Sequence, residues 1–515
     1  MRSSVIIKRL ARIAQRVLPS KSRTSRSETT EVTKQQIVSQ SDAHAPVTKT
    51  PVPEIKTTTA KPKRASARKS NPAMAGGPRR IPRSEHPISR NDISDNALKV
   101  LYRLHNAGFD AYLVGGCVRD ILLGLQPKDF DVATNAKPEE IKALFNNCRL
   151  IGRRFRLAHI VFGRDIIEVA TFRGHHSDED LPANNLSKQN EEGMLLRDNV
   201  YGSIEEDAQR RDFTVNALYY SIADFAIYDY ANGLADLEQG LLRLIGDPEQ
   251  RYREDPVRML RAVRFATKLG LRIEDATRKP IKPLSGLLDN IPAARLFEEF
   301  LKLFLHRRAE ANFELLLELN LFQYLFPVLK SALKNPDSLE YRMVRQAFID
   351  TDVRLNDDKG VNPAYLFAAI LWYPVAARAD EIILESGLSE FDAYQVAAAD
   401  ALSRQSRSIS IPKRFSLPMR DIWLLQLRLR QTHPKRAIRL LSHPKFRAGY
   451  DFLLLRARVE ADEELAALGK FWTEFQKQSP PVPTANSDSP DRPRASRPRR
   501  GRNPRRRKPK AKQSE

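Results

Sequence analysis

Asp129 and Asp131 stand two residues apart in KDFDVAT (residues 128–134). On a strand that spacing sends both side chains out of one face, and carboxylates so close repel unless a cation joins them. Two divalent ions about 3.5–4 Å apart relieve the repulsion and are the arrangement that serves phosphoryl transfer. Hard oxygen ligands with few other protein groups suit Mg²⁺. Upstream lies LVGGCVRDILLG, in which Gly115 and Gly116 fall between an apolar strand and a helix. Bare backbone N–H groups at such a junction hold phosphates, and Arg119, on the first turn of that helix, reaches the same phosphate. A D-x-D alone is common on solvated strands; the glycine pair and the basic groups around it give it meaning.

Further charged groups recur downstream. Glu168 sits in the otherwise apolar IIEVATF, where an unpaired charge is costly, and reads as a third carboxylate near the metal, or as a partner of Arg173. Asp212 follows Arg210 and Arg211 in AQRRDFTVNALYY and reads as a supporting catalytic group that orients an arginine or lies by the nucleotide sugar. In REDPVRMLRAVRFA, Asp255, Arg258 and Arg261 are spaced three apart, so one helix would carry them on one face. An acceptor beside forked donors suits the hydrogen-bonding edge of a base. Arg153, Arg154 and Arg156 follow Gly152 as a basic cluster. Cys117 reads as a small core residue, and His159, His175 and His176 lack metal-ligand spacing. Trp423 reads as core before base stacking.

The elements that must place these groups follow from periodicity. Ser94 caps a helix carrying Ala97, Leu98, Leu101 and Leu104, stopped by Gly108. Ala111–Val114 reads as a strand, 118–123 as a helix, 129–134 as a half-buried strand, 138–145 as a helix, and 160–162 and 166–172 as strands. Beyond residue 250 helical stripes take over. The expected fold is therefore a mixed α/β domain to about residue 245, followed by an all-α half.

The chain has 515 residues and a formal charge of +23, unevenly spread. Residues 1–90 hold 20 Lys/Arg against 5 Asp/Glu, and residues 491–515 hold 12 against 2. Subtracting these from 86 and 63 leaves 54 basic and 56 acidic groups between, so the folded part is near neutral. Both tails are too polar to offset the entropy of ordering and read as disordered; runs such as RNPRRRKPKAK suit a polyanion. Residues 4–18 carry Ile6, Leu10, Ile13 and Val17 at helical spacing among Lys8, Arg9, Arg12 and Arg16. They read as a helix on an anionic membrane surface, an organellar presequence, or a weakly structured leader. Two cysteines exclude a disulfide scaffold, and no apolar run reaches the roughly 18 residues of a membrane span. By composition and periodicity the chain divides into a basic leader over 1–90, an α/β region over 91–245, a helical region over 246–478 and a basic tail over 479–515.

Taken in order, LVGGCVRDILLG, KDFDVAT, IIEVATFR, RRDFTVNALYY and REDPVRMLRAVRFA resemble the class II nucleotidyltransferases, the superfamily of bacterial poly(A) polymerases and tRNA CCA-adding enzymes. Stretches such as CRLIGRRFRLAHIVFG and HPKFRAGYDFLLLRA are similar to the poly(A) polymerase branch, and the resemblance spans about residues 85–475. It implies template-independent addition of AMP from ATP to RNA 3′ ends, by a catalytic head with a small mixed sheet over 91–245, a base-reading neck over 246–305 and a helical, RNA-binding body and leg over 306–478. It further implies two Mg²⁺ on Asp129 and Asp131, triphosphate contacts from Gly116 and Arg119, and Arg211 near the nucleotide sugar. Asp255 and Arg258 would read the base, with Arg261 and Arg264 supporting, and Arg153, Arg154 and Arg156 would grip the RNA primer or the triphosphate. RNA 3′ ends and RNA-decay proteins are the implied partners, and a bacterial cytoplasmic location, with inner-membrane contact through residues 4–18, the implied site. The readings weighed against it are a CCA-adding enzyme using CTP and ATP, and a non-catalytic RNA-binding adaptor on the same fold.

Overall fold

The computed structural model describes residues 77–152, 156–174, 187–189, 195–198 and 200–478. The leader helix expected over 4–18, the tail from 479, Arg153, Arg154, His175 and His176 lie outside the described residues. The chain divides into two compact units at Leu417/Pro418, so the expected head, neck and most of the body fall in the first.

The first unit is built on one eight-stranded sheet: β1 (Arg79–Ile81), β2 (Ala111–Val114), β3 (Asp131–Thr134), β4 (Cys148–Ile151), β5 (Leu157–Phe162), β6 (Asp165–Thr171), β9 (Leu218–Ser221) and β10 (Ile227–Asp229). A separate two-stranded ladder, β7 (Ser187–Gln189) with β8 (Leu195–Asp198), interrupts the numbering. The spatial order is β1-β10-β9-β2-β3-β6-β5-β4, antiparallel except where β3 runs beside β6. The fold begins earlier than expected, because Arg79–Ile81 pairs with Ile227–Asp229 at the sheet edge. Asp129 precedes its strand rather than lying on it.

Register is the feature that matters for chemistry. Tyr219 pairs with Val114, Val114 with Asp131, Asp131 with Glu168, and Glu168 with His159. Residues directly opposite across a ladder share one face, so a single transverse row carries Tyr219, Asp131, Glu168 and His159 on the same side. The apolar alternates Leu113, Val132, Ile167 and Val169 are buried, which pins the register, since a slip of one residue would expose them. The helix Asp95–Asn106 lies on the sheet through buried Ala97, Val100, Leu101 and Leu104; Ser94 caps it, its hydroxyl accepting from Ala97 N at 3.2 Å.

After the sheet, helices dominate, with the short parallel pair Leu241–Leu242 and Arg272–Ile273 between them. The helices Pro248–Glu254 and Val257–Leu269 meet at Asp255 and Pro256, and Asp255 is extended (φ −149°, ψ 91°). Proline starts the second helix and ends the first, so Asp255 is not on the helix face that carries Arg258 and Arg261. Further on, stacked phenylalanines fill the core, with Phe304 and Phe348 at 4.2 Å and Phe300 and Phe367 at 4.3 Å. The second unit closes around Trp472, whose indole N–H donates to Leu429 O at 2.8 Å. Trp423 is fully buried, which makes it core rather than a stacking platform for bases. No described helix is long and apolar enough to cross a membrane.

Candidate active site

The glycine turn is set by backbone geometry. Gly115 has φ +77° and ψ −129°, a conformation that side chains avoid. Strand β2 delivers it beside the row just described, since Val114 pairs with Asp131. A Cβ on Gly115 would stand 3.5 Å from Arg211 Nη1, and one on Gly116 3.5 Å from Arg119 Nη2. Two guanidiniums therefore flank the turn.

Three carboxylates gather next to it. Asp129 is exposed, Asp131 opens β3, and Glu168 is half-buried with its Oε2 at 3.2 Å from His159 Nε2. Lost solvation in the cleft pushes the Asp131 carboxyl up to about 6, reinforced by Glu168 and Asp129 and opposed by Arg211. Among the described residues no group of three or more His, Cys, Asp or Glu side chains is gathered that could hold a metal ion. A divalent cation here would be held by one or two of these carboxylates together with phosphate oxygens, the ligand set that suits Mg²⁺.

The arginines are held by partners that periodicity could not name. Arg211 donates to Asp207 Oδ2 from Nε (3.2 Å) and Nη2 (3.0 Å) and to the Tyr219 hydroxyl (2.8 Å). Asp212 accepts from Arg261 Nε at 2.8 Å, from Asn216 Nδ2 at 3.0 Å and from Phe213 N at 2.8 Å. Burial alone would raise its pKa, but Arg261 and Asn216 hold it far below the usual carboxylate range. It is thus an anchor for Arg261. Arg119 departs most from expectation: it is 2% exposed, with Nε and Nη2 on Asp120 and Nη1 on Asn216 Oδ1. Its guanidinium is thus tied into the wall beside the glycine turn, with Nη2 toward Gly116. Asn216 joins the two systems, giving a polar chain Asp120–Arg119–Asn216–Asp212–Arg261 from the turn to the helix Val257–Leu269. Arg119, Arg261 and Arg264 all lie 4.6–5.2 Å from the Phe265 ring centre.

In the expected base-reading cluster the pairings also differ. Both Asp255 oxygens take a fork from Arg295, at 2.8 and 2.7 Å. Arg258 donates to Glu254 Oε2 (3.0 Å) and Arg251 O (2.7 Å). Arg264 lies 3.9 Å from Glu299, and burial, with Arg261 beside it, lowers its pKa to about 10. Arg156 donates to Glu139 at 2.6 Å on the surface. Burial pushes the Cys117 thiol up to about 12, consistent with a core residue and not a nucleophile.

Residues 111–243 match the family described as the Poly A polymerase head domain, 270–333 a probable RNA and SrmB-binding site of polymerase A, and 386–508 the polymerase A arginine-rich C-terminus. The sheet and its glycine turn are thus those of the nucleotidyltransferase superfamily that poly(A) polymerases and CCA-adding enzymes share. The CCA-adding enzyme of Lactobacillus helveticus is 37% identical over 232 residues, 45% of this chain and 55% of its own. Poly(A) polymerase I of Escherichia coli O157:H7 is 58% identical over 402 residues, 78% of this chain and 86% of its own, and that of Haemophilus influenzae 50% over 415 residues, 80% and 91%. Among solved structures, the Bacillus stearothermophilus CCA-adding enzyme in complex with CTP aligns over 74% of this chain and 82% of its own, at 24% identity and a TM-score of 0.46. The chain belongs to the poly(A) polymerase I family, whose activity is template-independent polyadenylation.

Proposed function

We propose that the cleft joins AMP from ATP to the 3′ end of RNA, with Asp129 and Asp131 holding two Mg²⁺ and Glu168 beside them. When bound, the ions supply Lewis-acid activation of the 3′-hydroxyl and neutralise charge on the departing pyrophosphate. The bond formed is 3′-oxygen to α-phosphorus, and the bond broken is the bridge to the β-phosphate. Gly115 and Gly116 let the triphosphate approach the backbone closely. Arg211 faces the turn with a charge that Asp207 sustains. Asp212 fixes Arg261, and Asp255 with Arg295 sets the neck where the base would be read. Placing these groups before reaction is what lowers the barrier. RNA is held by the helical half and by the basic tails, and 91–245, 246–305 and 306–478 serve as head, neck and body with leg. The protein works in the cytoplasm.

The observation that carries this reading is the register that sets Asp131 beside Glu168 at the mouth of the glycine turn. Primer extension on unstructured RNA with each nucleotide supplied singly is the test. Long ATP-dependent tails are expected; CMP addition restricted to tRNA ends would transfer the chain to the CCA-adding branch. Replacing Asp129→Asn and Asp131→Asn together is expected to cut turnover at least about a thousandfold, the scale of several kcal/mol of lost charge stabilisation. Undiminished tailing by that variant would remove the metal assignment.

A further inference from the structure

Arg211 follows the helix Ile204–Arg210 with an extended backbone (φ −65°, ψ 165°), and its side chain turns back toward the glycine turn. One edge of the guanidinium is fully engaged. Asp207, buried one helical turn earlier, accepts from Nε and Nη2 through a single oxygen. The Tyr219 hydroxyl accepts from the same Nε and donates to the same Asp207 oxygen at 2.7 Å, closing a triangle. The ring of Tyr219 lies 5.2 Å from the guanidinium carbon, and the second oxygen of Asp207 accepts from Arg173 N at 3.2 Å. Rotation of the guanidinium would break two charge-assisted bonds at once. The opposite edge, Nη1, is thereby directed at Gly115.

We infer that Asp207 and Tyr219 are positioning residues, which hold Arg211 so that Nη1 meets the phosphates of the nucleotide entering at the glycine turn. The inference rests on the reading of the cleft as an ATP site. Tyr219 suits the task because its one hydroxyl oxygen both accepts from the arginine and donates to the carboxylate. Its position is also fixed: Tyr219 pairs with Val114, which pairs with Asp131, so the triangle stands on the cleft face of the sheet, two strands from the acidic pair.

The test is steady-state primer extension by the full chain, with ATP and RNA varied separately, for Tyr219→Phe, Asp207→Asn, Arg211→Lys and Tyr219→Phe in the Arg211→Lys background. Tyr219→Phe and Asp207→Asn are expected to raise KM for ATP about tenfold and leave KM for RNA unchanged, the scale of one charge-assisted bond misplaced. In the Arg211→Lys background, Tyr219→Phe is expected to add less than about twofold, since the group to be positioned is gone. Effects that multiply in the double variant, or fall equally on KM for RNA, overturn the inference while leaving the ATP reading intact. A wild-type chain that incorporates no AMP overturns both. Should Asp207→Asn fail to fold, seen as a lost thermal transition, the Tyr219→Phe cycle decides alone.

Discussion

Gly115 shows how narrow the chemistry's tolerance is at a single residue. With φ +77° and ψ −129° it lies outside the left-handed helical region, so an alanine there costs at least about 1–2 kcal/mol, and its missing Cβ keeps open the space in front of Arg211 Nη1. Strain and obstruction can be separated, because Gly124 also has a positive φ, +72°, and nothing within 4 Å of a Cβ. Gly115→Ala and Gly124→Ala are both expected to lower the melting temperature, while only Gly115→Ala raises KM for ATP, by about tenfold. Equal kinetic effects from both would show that strain, not obstruction, is at work. The acids divide by the same reasoning. Glu168 shares the face of Asp131 because their strands run in parallel register, whereas Asp212 is fixed by Arg261, Asn216 and its neighbour's backbone. Charge alone leaves the two equivalent in the amino-acid string; strand pairing tells them apart.

At the level of elements, the head depends on a polar lock at its edge. His86, between β1 and the helix Asp95–Asn106, is 3% exposed and donates from Nε2 to Phe225 O at 3.0 Å; its Nδ1 is buried with no partner. Burial lowers its pKa below the ordinary 6.5, Phe225 O opposes this, and the nearby Arg83 lowers it further. The unfolded chain thus takes up a proton near pH 6.5, before the folded one does. Stability from this site is complete above that pH and is lost as pH falls through the folded value. Melting temperatures are expected to be level from pH 7 to 8 and to drop below about 6.5, with His86→Gln flattening the drop; an unchanged acid limb in that variant would acquit His86. Most elements of this half are legible in the chain: β2, the Ser94 cap, the glycine turn and β3 announce themselves by alternation and by glycine. What stays hidden is non-local. Arg295 lies 40 residues from the Asp255 it grips, Asn216 sits nearly a hundred from Arg119, and no period links such pairs. Asp255, Arg258 and Arg261 share a helical spacing, but proline cannot continue the preceding turn, so the break at Asp255–Pro256 takes Asp255 off that face.

For the whole molecule, the governing fact is where along the sequence the charge lies. The chain carries +23, but the 400 residues between 91 and 490 are near neutral, so most of the long-range attraction for a polyanion comes from the ends. On the proposed reading, the cleft is built from pairs that already neutralise one another: Arg211 with Asp207, Arg261 with Asp212, Arg295 with Asp255. These cannot also supply sequence-independent affinity without giving up their partners. The arginine-rich stretch at 491–515, with 12 basic groups against 2 acidic, is free of that duty in its composition. Each phosphate contact on single-stranded RNA contributes about 0.7 to the slope of log affinity against log salt. Removing residues 491–515 is therefore expected to weaken RNA binding at low salt and to flatten that slope by as much as about 8, if every basic group is engaged. Turnover at saturating RNA and KM for ATP are expected to stay within about twofold, because the barrier is set in the cleft. Filter binding across a salt series, run beside single-nucleotide extension, checks both halves. An unchanged slope would assign the tail to another anionic ligand, whereas a fall in turnover at saturating RNA would mean that the tail also places the 3′ end, and that charge and chemistry are less separable than the sequence composition implies.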